Sequence, residues 1–423
     1  MKTISIFTGC LLCAALLFMG CVKDTIQMAQ PTVTITGTYE LYKGEALGTL
    51  TLTGTAQHEG NPVEGTLAWK DPSTTYPEAG EQPAAWIFTP AAPSRYNPVE
   101  GETSVTVNPN IYVCGYRYVS NGDYINTIWK NGNELYTLAL AKAIVNSFAV
   151  SGGDIYSCGF EDIELNTRTA AKVWKNDQTL YTLAEGGAYT SALSLTIANG
   201  KIYTSGRHTL PTGKTVIKVW ENEKATLTGE RNMGSGYSVA VSGGNVYVFG
   251  GEDNDQNKSV AKLWKDGNLL YDNLSDGNYD FKSGNMVISG GDVYACGTEK
   301  YNTLNAVSMK VWKNNSLLYD LKSDKNGNVV GLAVSNGDVY MCGWEDGPNE
   351  TDMIKVWKNG NLLYELTDGN QLSYPYSIEL SGDDVYTAGV SYYSGNHPVS
   401  KVWKNNVPIF TIDGFVFKAM VID

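Results

Sequence analysis

The sequence predicts an all-β protein: a small β-sandwich followed by a seven-bladed β-propeller that the C-terminal strand closes in blade one. Three observations predict it. The 423 residues include 27 Tyr and 45 Gly, with aromatics at 11%, and this mixture, with many Val and Thr, favours strands and tight turns. Tryptophan recurs at 129, 174, 220, 264, 312, 357 and 403, at spacings of 45, 46, 44, 48, 45 and 46. A period near 45 with strand-like runs marks propeller blades. The ends of the repeat are also complementary, because the first copy lacks a first strand and the last residues supply one.

The N-terminus reads MKTISIFTGCLLCAALLFMGC, with Lys2 as a positive start and an apolar run from Ile4 to Phe18 that is too short to span a bilayer as a mature helix. Gly20-Cys21 resembles the end of a lipobox, the cleavage signal of bacterial lipoproteins, although Leu17 stands one place early and Phe18 where Leu is usual. The resemblance implies a signal peptide over 1–20, a diacylglycerol on the sulfur of Cys21 and a lipidated linker over 21–32. It implies a place on the bacterial outer membrane, lipid-anchored and facing the periplasm or the surface. An ordinary secretory signal is the alternative. The net charge of −13 and pI near 4.8 argue against nucleic acid or an anionic membrane surface as partner, so the lipid anchor is the only membrane contact expected.

Residues 33–108 alternate apolar and polar between turn clusters, in VTITGTY, TLTLTGT, GTLAWKDP, AAWIFTP and TSVTV. Such runs read as short antiparallel strands. The stretch resembles a bacterial immunoglobulin-like domain through Gly65 to Pro72, Phe88-Thr89-Pro90, Tyr96-Asn97-Pro98 and a last strand at 103–107. The resemblance implies an Ig-like sandwich serving as a stalk. Trp69 and Trp86 are expected in its core.

The propeller is expected over 109–423. The sixth copy gives the unit: Leu332 to Val334 as first strand, a turn at 335–338, Val339 to Gly343 as second strand, a polar loop at 344–352, Ile354 to Lys358 as third strand, an Asn359-Gly360 turn, and Leu362 to Leu366 as fourth. Asn-Gly between strands is a strong hairpin signal because both central residues take φ > 0; Asn314-Asn315 and Asn405-Asn406 stand at the same turn and tolerate that geometry. The first copy begins at the second strand, Ile111 to Gly115, and Ala419 to Asp423 supplies the missing first strand. Closure removes edges that would pair with other chains. The Asp/Asn-Val/Ile-Tyr-x-x-Gly second strand resembles the kelch family of propellers, with two departures: a double glycine occurs only at Gly250-Gly251, and the third-strand Trp with its Lys-Asn-Gly tail is not the kelch pattern. No function follows from that fold alone.

What every blade shares is expected to be scaffold. The seven tryptophans fit blade-to-blade packing better than a ligand site. The lysines two before Trp (172, 218, 262, 310, 355, 401) and one after it (130, 175, 265, 313, 358, 404) can lay their stems on aromatic surface with the ammonium wet. Cys114, Cys158, Cys296 and Cys342 share one site before the strand-two Gly and are expected as buried free thiols, since that site in neighbouring blades lies beyond disulfide reach.

Function is therefore sought in what breaks the repeat. The second-to-third and fourth-to-first connections are long and variable and fall on one face. The seven second-to-third loops sum to a charge of −6 and hold unrepeated aromatics. Exposed aromatics beside carboxylates suit sugar stacking or a protein hot spot. The candidate binding residues are Tyr116, Tyr118, Arg207, His208, Asp253, Trp344, Asp346, Tyr392 and Tyr393. Asp253 to Asn257 resembles a calcium loop, but Lys258 replaces the following Gly and Trp264 the twelfth-position Glu, so no metal is expected. No cofactor and no catalytic residue is assigned: three His occur, with no nucleophile elbow, no H-E-x-x-H and no repeated Asp box. Glu379, an acid amid apolar first-strand positions, reads as an axial residue hydrogen-bonded to backbone, or as a general acid beside Asp346. The function expected is a noncatalytic, monomeric envelope lipoprotein that binds a glycan or a protein on its variable face. The alternatives are a polysaccharide-active hydrolase or lyase, which a carboxylate pair or Arg207 with His208 in one funnel would favour, and a purely structural role.

Overall fold

The structure, a computed structural model, describes residues 27–423 except 120–122, 139–141, 165–166, 188, 230–232, 273, 302–305, 348 and 350. The signal peptide expected over 1–20 and the lipidation site Cys21 lie outside the described residues. Among those described there is no α-helix and no helix long and apolar enough to cross a membrane. The chain divides into two compact units at Asn108/Pro109.

The N-terminal unit holds two sheets. One joins Thr32–Thr36, Thr53–His58 and Asn61–Pro62; the other joins Glu40–Tyr42, Val99–Asn108, Gly80–Pro90 and Gly65–Trp69. Trp69 and Trp86 lie in one core with Tyr39, Leu41, Phe88 and Val105. Two details differ from the sequence reading. Glu40–Tyr42 runs parallel to Val99–Asn108, because the intervening chain passes through the other sheet before returning. The end of the 21–32 linker is not free, since the Ala29 N–H donates to the Arg95 carbonyl at 2.9 Å.

Residues from Asn110 onward form seven four-stranded antiparallel sheets. Six are built from consecutive strands. The seventh, blade 1, takes Ile111–Tyr118, Tyr124–Lys130 and Asn133–Leu138 from the start and Val416–Ile422 from the end. Ile422 pairs with Ile111 and Val416 with Tyr116. The ring is thus a seven-bladed propeller closed by its C-terminal strand.

The repeated residues have three jobs. First, the tryptophans fill seams between blades. Trp357 of blade 6 packs with Tyr294, Cys296, Val307 and Met309 of blade 5, and Trp174 of blade 2 with Tyr112, Cys114, Ile128 and Leu138 of blade 1. Second, the turn residue after the Trp-Lys or Trp-Glu pair is a latch. In all seven blades it has φ > 0, and its side-chain oxygen accepts the N–H that opens strand two, as Asn359 does from Val339 at 2.8 Å and Asp266 from Val246 at 2.8 Å. The next residue has φ > 0 only where it is Gly; Asn315 and Asn406 do not, because an L side chain avoids that region. Third, each lysine after a Trp lies over the strand-two tyrosine, as Lys358 does over Tyr340 at 5.0 Å, and four of them also pair with an Asp, such as Lys358 with Asp338 at 2.7 Å.

The first strands carry a feature the sequence reading missed. Six of the seven have a β-bulge at the same level, at Asn146, Leu193, Tyr237, Val330, Tyr376 and Lys418; in blade 5 it is shifted, falling between Phe281 and Gly284. A bulge adds a residue and re-aims its side chain. It also brings the bulged strand's backbone close to strand two. This gives the Tyr-x-x-Gly glycine a reason: a Cβ on Gly159 would collide with the carbonyl of Ile144, and one on Gly115 would lie 2.8 Å from that of Val416.

The four propeller cysteines are free and fully buried. Burial pushes the thiols of Cys114 and Cys296 up to about 12.

Candidate functional site

The first strands of all seven blades line one axial cavity of about 530 Å³. Its wall is mostly small polar and aliphatic side chains, including Ser147, Ser194, Ser238, Asn285 and Ser377. Glu379 and Lys418 are its only charged lining residues among the described residues.

Glu379 has no hydrogen-bond partner among the described residues, contrary to the expectation of a backbone bond. It lies in the regular stretch after the bulge and lines the cavity. It is partly buried in the wall of the cavity, and burial pushes its pKa up to about 7.

At one sector of the ring, unrepeated aromatics from blades 6, 7 and 1 meet. Trp344 stands edge-to-face on Tyr374 with centroids 5.6 Å apart, and Tyr374 on Tyr392 at 6.3 Å. The Tyr376 and Tyr392 hydroxyls lie near each other. Tyr124 joins Tyr116 at 5.4 Å and Tyr118 at 5.7 Å. Lys418 bridges the blades, its Nζ 4.9 Å from the ring centre of Tyr376 and 5.5 Å from that of Tyr116. Since Tyr376 and Lys418 also line the axial cavity, the aromatic patch and the cavity are continuous. Burial raises the Tyr116 hydroxyl to about 12, with Tyr392 and Tyr124 adding to it.

Carboxylates border this patch. Asp346 and Asp352 are paired across blade 6 with their side chains in hydrogen-bonding reach. Burial first, then the bond to Asp346 and its charge, raise Asp352, while a hydrogen bond from Tyr374 opposes the rise. Two carboxyls in contact are closer than the roughly 5–9.5 Å that glycosidases use.

Of the candidate residues, Tyr116, Tyr118, Trp344, Asp346 and Tyr392 are brought together, and four are not. Tyr393 alternates to the other side of its strand from Tyr392 and is 39% exposed. Arg207 and His208 belong to blade 3 and, as neighbours in one strand, point to opposite faces. Arg207 stacks on Tyr189 at 5.5 Å. His208 bonds through Nε2 to the Glu185 carbonyl at 3.3 Å, so the pair does not share a funnel. His208 also stands where other blades place the acid that pairs with the lysine before Trp, as Glu345 does with Lys355 at 2.8 Å and Glu252 with Lys262 at 3.8 Å. Asp253 lies in blade 4, where burial and then Asp280 raise its carboxyl. The turn beside it is closed by Asn254, whose side-chain oxygen accepts the N–H groups of Gln256 and Lys258. Among the described residues no group of three or more His, Cys, Asp or Glu could hold a metal ion.

Trp344, Asp346, Tyr116, Tyr118 and Tyr392 lie on strand ends, not in loops. Strand two of blade 6 runs Asp338–Asp346 and strand three starts at Asp352, so the loop expected at 344–352 shortens to 347–351. Pairing extends there because the Trp344 and Asp346 backbones find partners in Ile354 and Asp352. Tyr374, Tyr376, Asp352 and Lys418 were missed. The first two lie in first strands, which the sequence marks only as apolar runs, and Lys418 lies in the closing strand.

No family model matches the chain, and no curated protein matches it. Among solved structures the chain is similar to a quinonprotein alcohol dehydrogenase-like protein from Bacteroides thetaiotaomicron, at 16% identity and a TM-score of 0.42, over 93% of this chain and 99% of that one. It is also similar to a thermostable family-43 glycoside hydrolase, at 12% identity and a TM-score of 0.33, over 53% of this chain and 91% of that one. The site's chemistry is read from its own residues.

Proposed function

We propose that this is a noncatalytic, lipid-anchored protein of the bacterial cell envelope whose propeller binds a glycan. The observation that carries the reading is the contiguous aromatic patch of Trp344, Tyr374, Tyr376, Tyr392, Tyr116, Tyr124 and Tyr118, drawn from three adjacent blades. Tyrosine and tryptophan offer an apolar face and a polar edge, which suits a sugar ring with its hydroxyls. Asp346 and Asp352 at the border supply acceptors for those hydroxyls. The anchor at Cys21, the outer-membrane location and the Ig-like stalk belong to the same proposal and rest on the sequence. A protein ligand on the same patch is the variant reading, because tyrosine and tryptophan also dominate protein hot spots.

A second reading, a polysaccharide hydrolase or lyase, draws on Glu379, a carboxyl held near neutral pH inside the cavity. Against it, the contacting Asp346–Asp352 pair leaves no room for a sugar or water between the carboxyls. A glycan array with product analysis on the same samples separates the readings. Retention without product supports binding, and released product overturns it. Silence on all glycans overturns the glycan ligand in favour of a protein.

A further inference from the structure

We infer that Lys418 is the anchor for an anionic substituent on the bound glycan, a uronate carboxylate or a sulfate ester, held at the mouth of the axial cavity. This rests on the glycan-binding reading above and narrows its ligand class.

Lys418 differs from four of the scaffold lysines. These four reach into the protein and have acids waiting: Lys355 has Glu345 at 2.8 Å, Lys262 has Asp272 at 2.8 Å, and Lys310 and Lys172 pair with Glu299 and Glu161. Lys418 has no ion pair and no hydrogen bond among the described residues. Its partners among the described residues are the faces of Tyr376 and Tyr116. An enclosed ammonium without a counter-charge is unfavourable, and two ring faces offset only part of that.

Its position is built, not incidental. Lys418 is the bulged residue of its strand, so its side chain is re-aimed into the cavity that it lines. The equivalent bulged positions hold Asn146, Leu193, Tyr237, Val330 and Tyr376, none of them charged. The other charged lining residue, Glu379, sits three residues past its own blade's bulged residue, about 10 Å farther along the axis at strand rise, and makes no ion pair with Lys418. Burial lowers the pKa of Lys418, as expected for an ammonium lacking a partner.

The charge balance of the chain limits the anion. A net charge of −13 repels a polyanion at long range. One local cation beside a tyrosine platform fits a mostly neutral chain carrying an isolated acidic sugar. A charge-assisted contact of this kind corresponds to about a tenfold to hundredfold gain in affinity.

The test uses matched tetrasaccharides whose terminal sugar carries C6 as hydroxymethyl, carboxylate or sulfate ester, in the glucose and galactose series. Binding is measured for wild type, Lys418→Met and Lys418→Arg, with unfolding midpoints as a folding control. The assignment expects one acidic form to bind at least tenfold tighter than its neutral twin. Lys418→Met should lose that preference, read as the ratio of acidic to neutral affinity within each variant, with a midpoint no lower than wild type, and Lys418→Arg should keep most of the preference. The carboxylate and sulfate arms show which anion is meant. Equal binding of neutral and acidic forms, or a preference that survives Lys418→Met, overturns the anchor and leaves glycan binding standing. No binding to any member overturns the glycan reading, and the anchor with it.

Discussion

Replacing Glu379 by Gln should change how stability depends on pH. The carboxyl is pushed from 4.5 up to about 7 because it is enclosed by the first strands and finds no donor. In the unfolded chain it ionises near 4.5; in the folded chain it holds its proton to about 7. Between those values the folded state binds more protons, so its stability falls as pH rises through that window and levels off above pH 7. At 1.36 kcal/mol per pK unit, the loss is at most about 3 kcal/mol, and water entering the cavity reduces it. The buried Cys342 thiol is a titratable neighbour, and the charge of Glu379 adds to its cost of ionising. Gln keeps the shape and cannot ionise. Urea unfolding of wild type and Glu379→Gln from pH 4.5 to 8.5 measures the difference. The variant should gain on the wild type by about 1–3 kcal/mol across that range, most of it by pH 7.5. Two curves that stay parallel within about 0.5 kcal/mol would refute the enclosed, unpartnered carboxyl.

Other outcomes follow from the same structure. Trp174→Ala empties a seam where the ring is 1% exposed and should lower stability by about 3–5 kcal/mol in urea unfolding, whereas Trp344→Ala, at a partly exposed ring, should lower it by less than half as much. Ending the chain after Gly414 removes the closing strand with Val416, Phe417 and Met420, exposed by 6%, 0% and 3%. At about 1.5–3 kcal/mol for each side chain, that loss rivals a domain's whole stability, so the truncated chain should fail to give a cooperative thermal transition. Cys114, Cys158, Cys296 and Cys342 should stay silent to a thiol reagent at pH 8 and react together on denaturation.

Much of the fold was legible because a ring of blades repeats one packing problem seven times. Trp357, Lys358 and Asn359 recur since each blade needs a seam filler, a cover for Tyr340 and a latch for strand two. The bulges were not legible: an extra residue shows only against its partner strand, and the glycine facing it reads equally as plain strand. The site was half legible. Trp344 and Tyr392 break the repeat and so drew attention. Lys418 and Tyr376 lie in strands whose sequence speaks of closure and core, and only pairing reveals them as bulged and turned to the cavity. Arg207 and His208 misled because adjacency in a strand means opposite faces.

The central claim is that unrepeated aromatics at blades 6, 7 and 1 form a glycan platform. The most direct measurement is glycan-array binding by wild type against the double variant Trp344→Ala/Tyr392→Ala, with product analysis of the bound glycans. The account predicts retention of a glycan without cleavage by the wild type and at least a tenfold loss in the double variant, about 1.4 kcal/mol or more, with the cooperative unfolding transition retained. Undiminished binding by the double variant, or cleavage of the bound glycan, would contradict it.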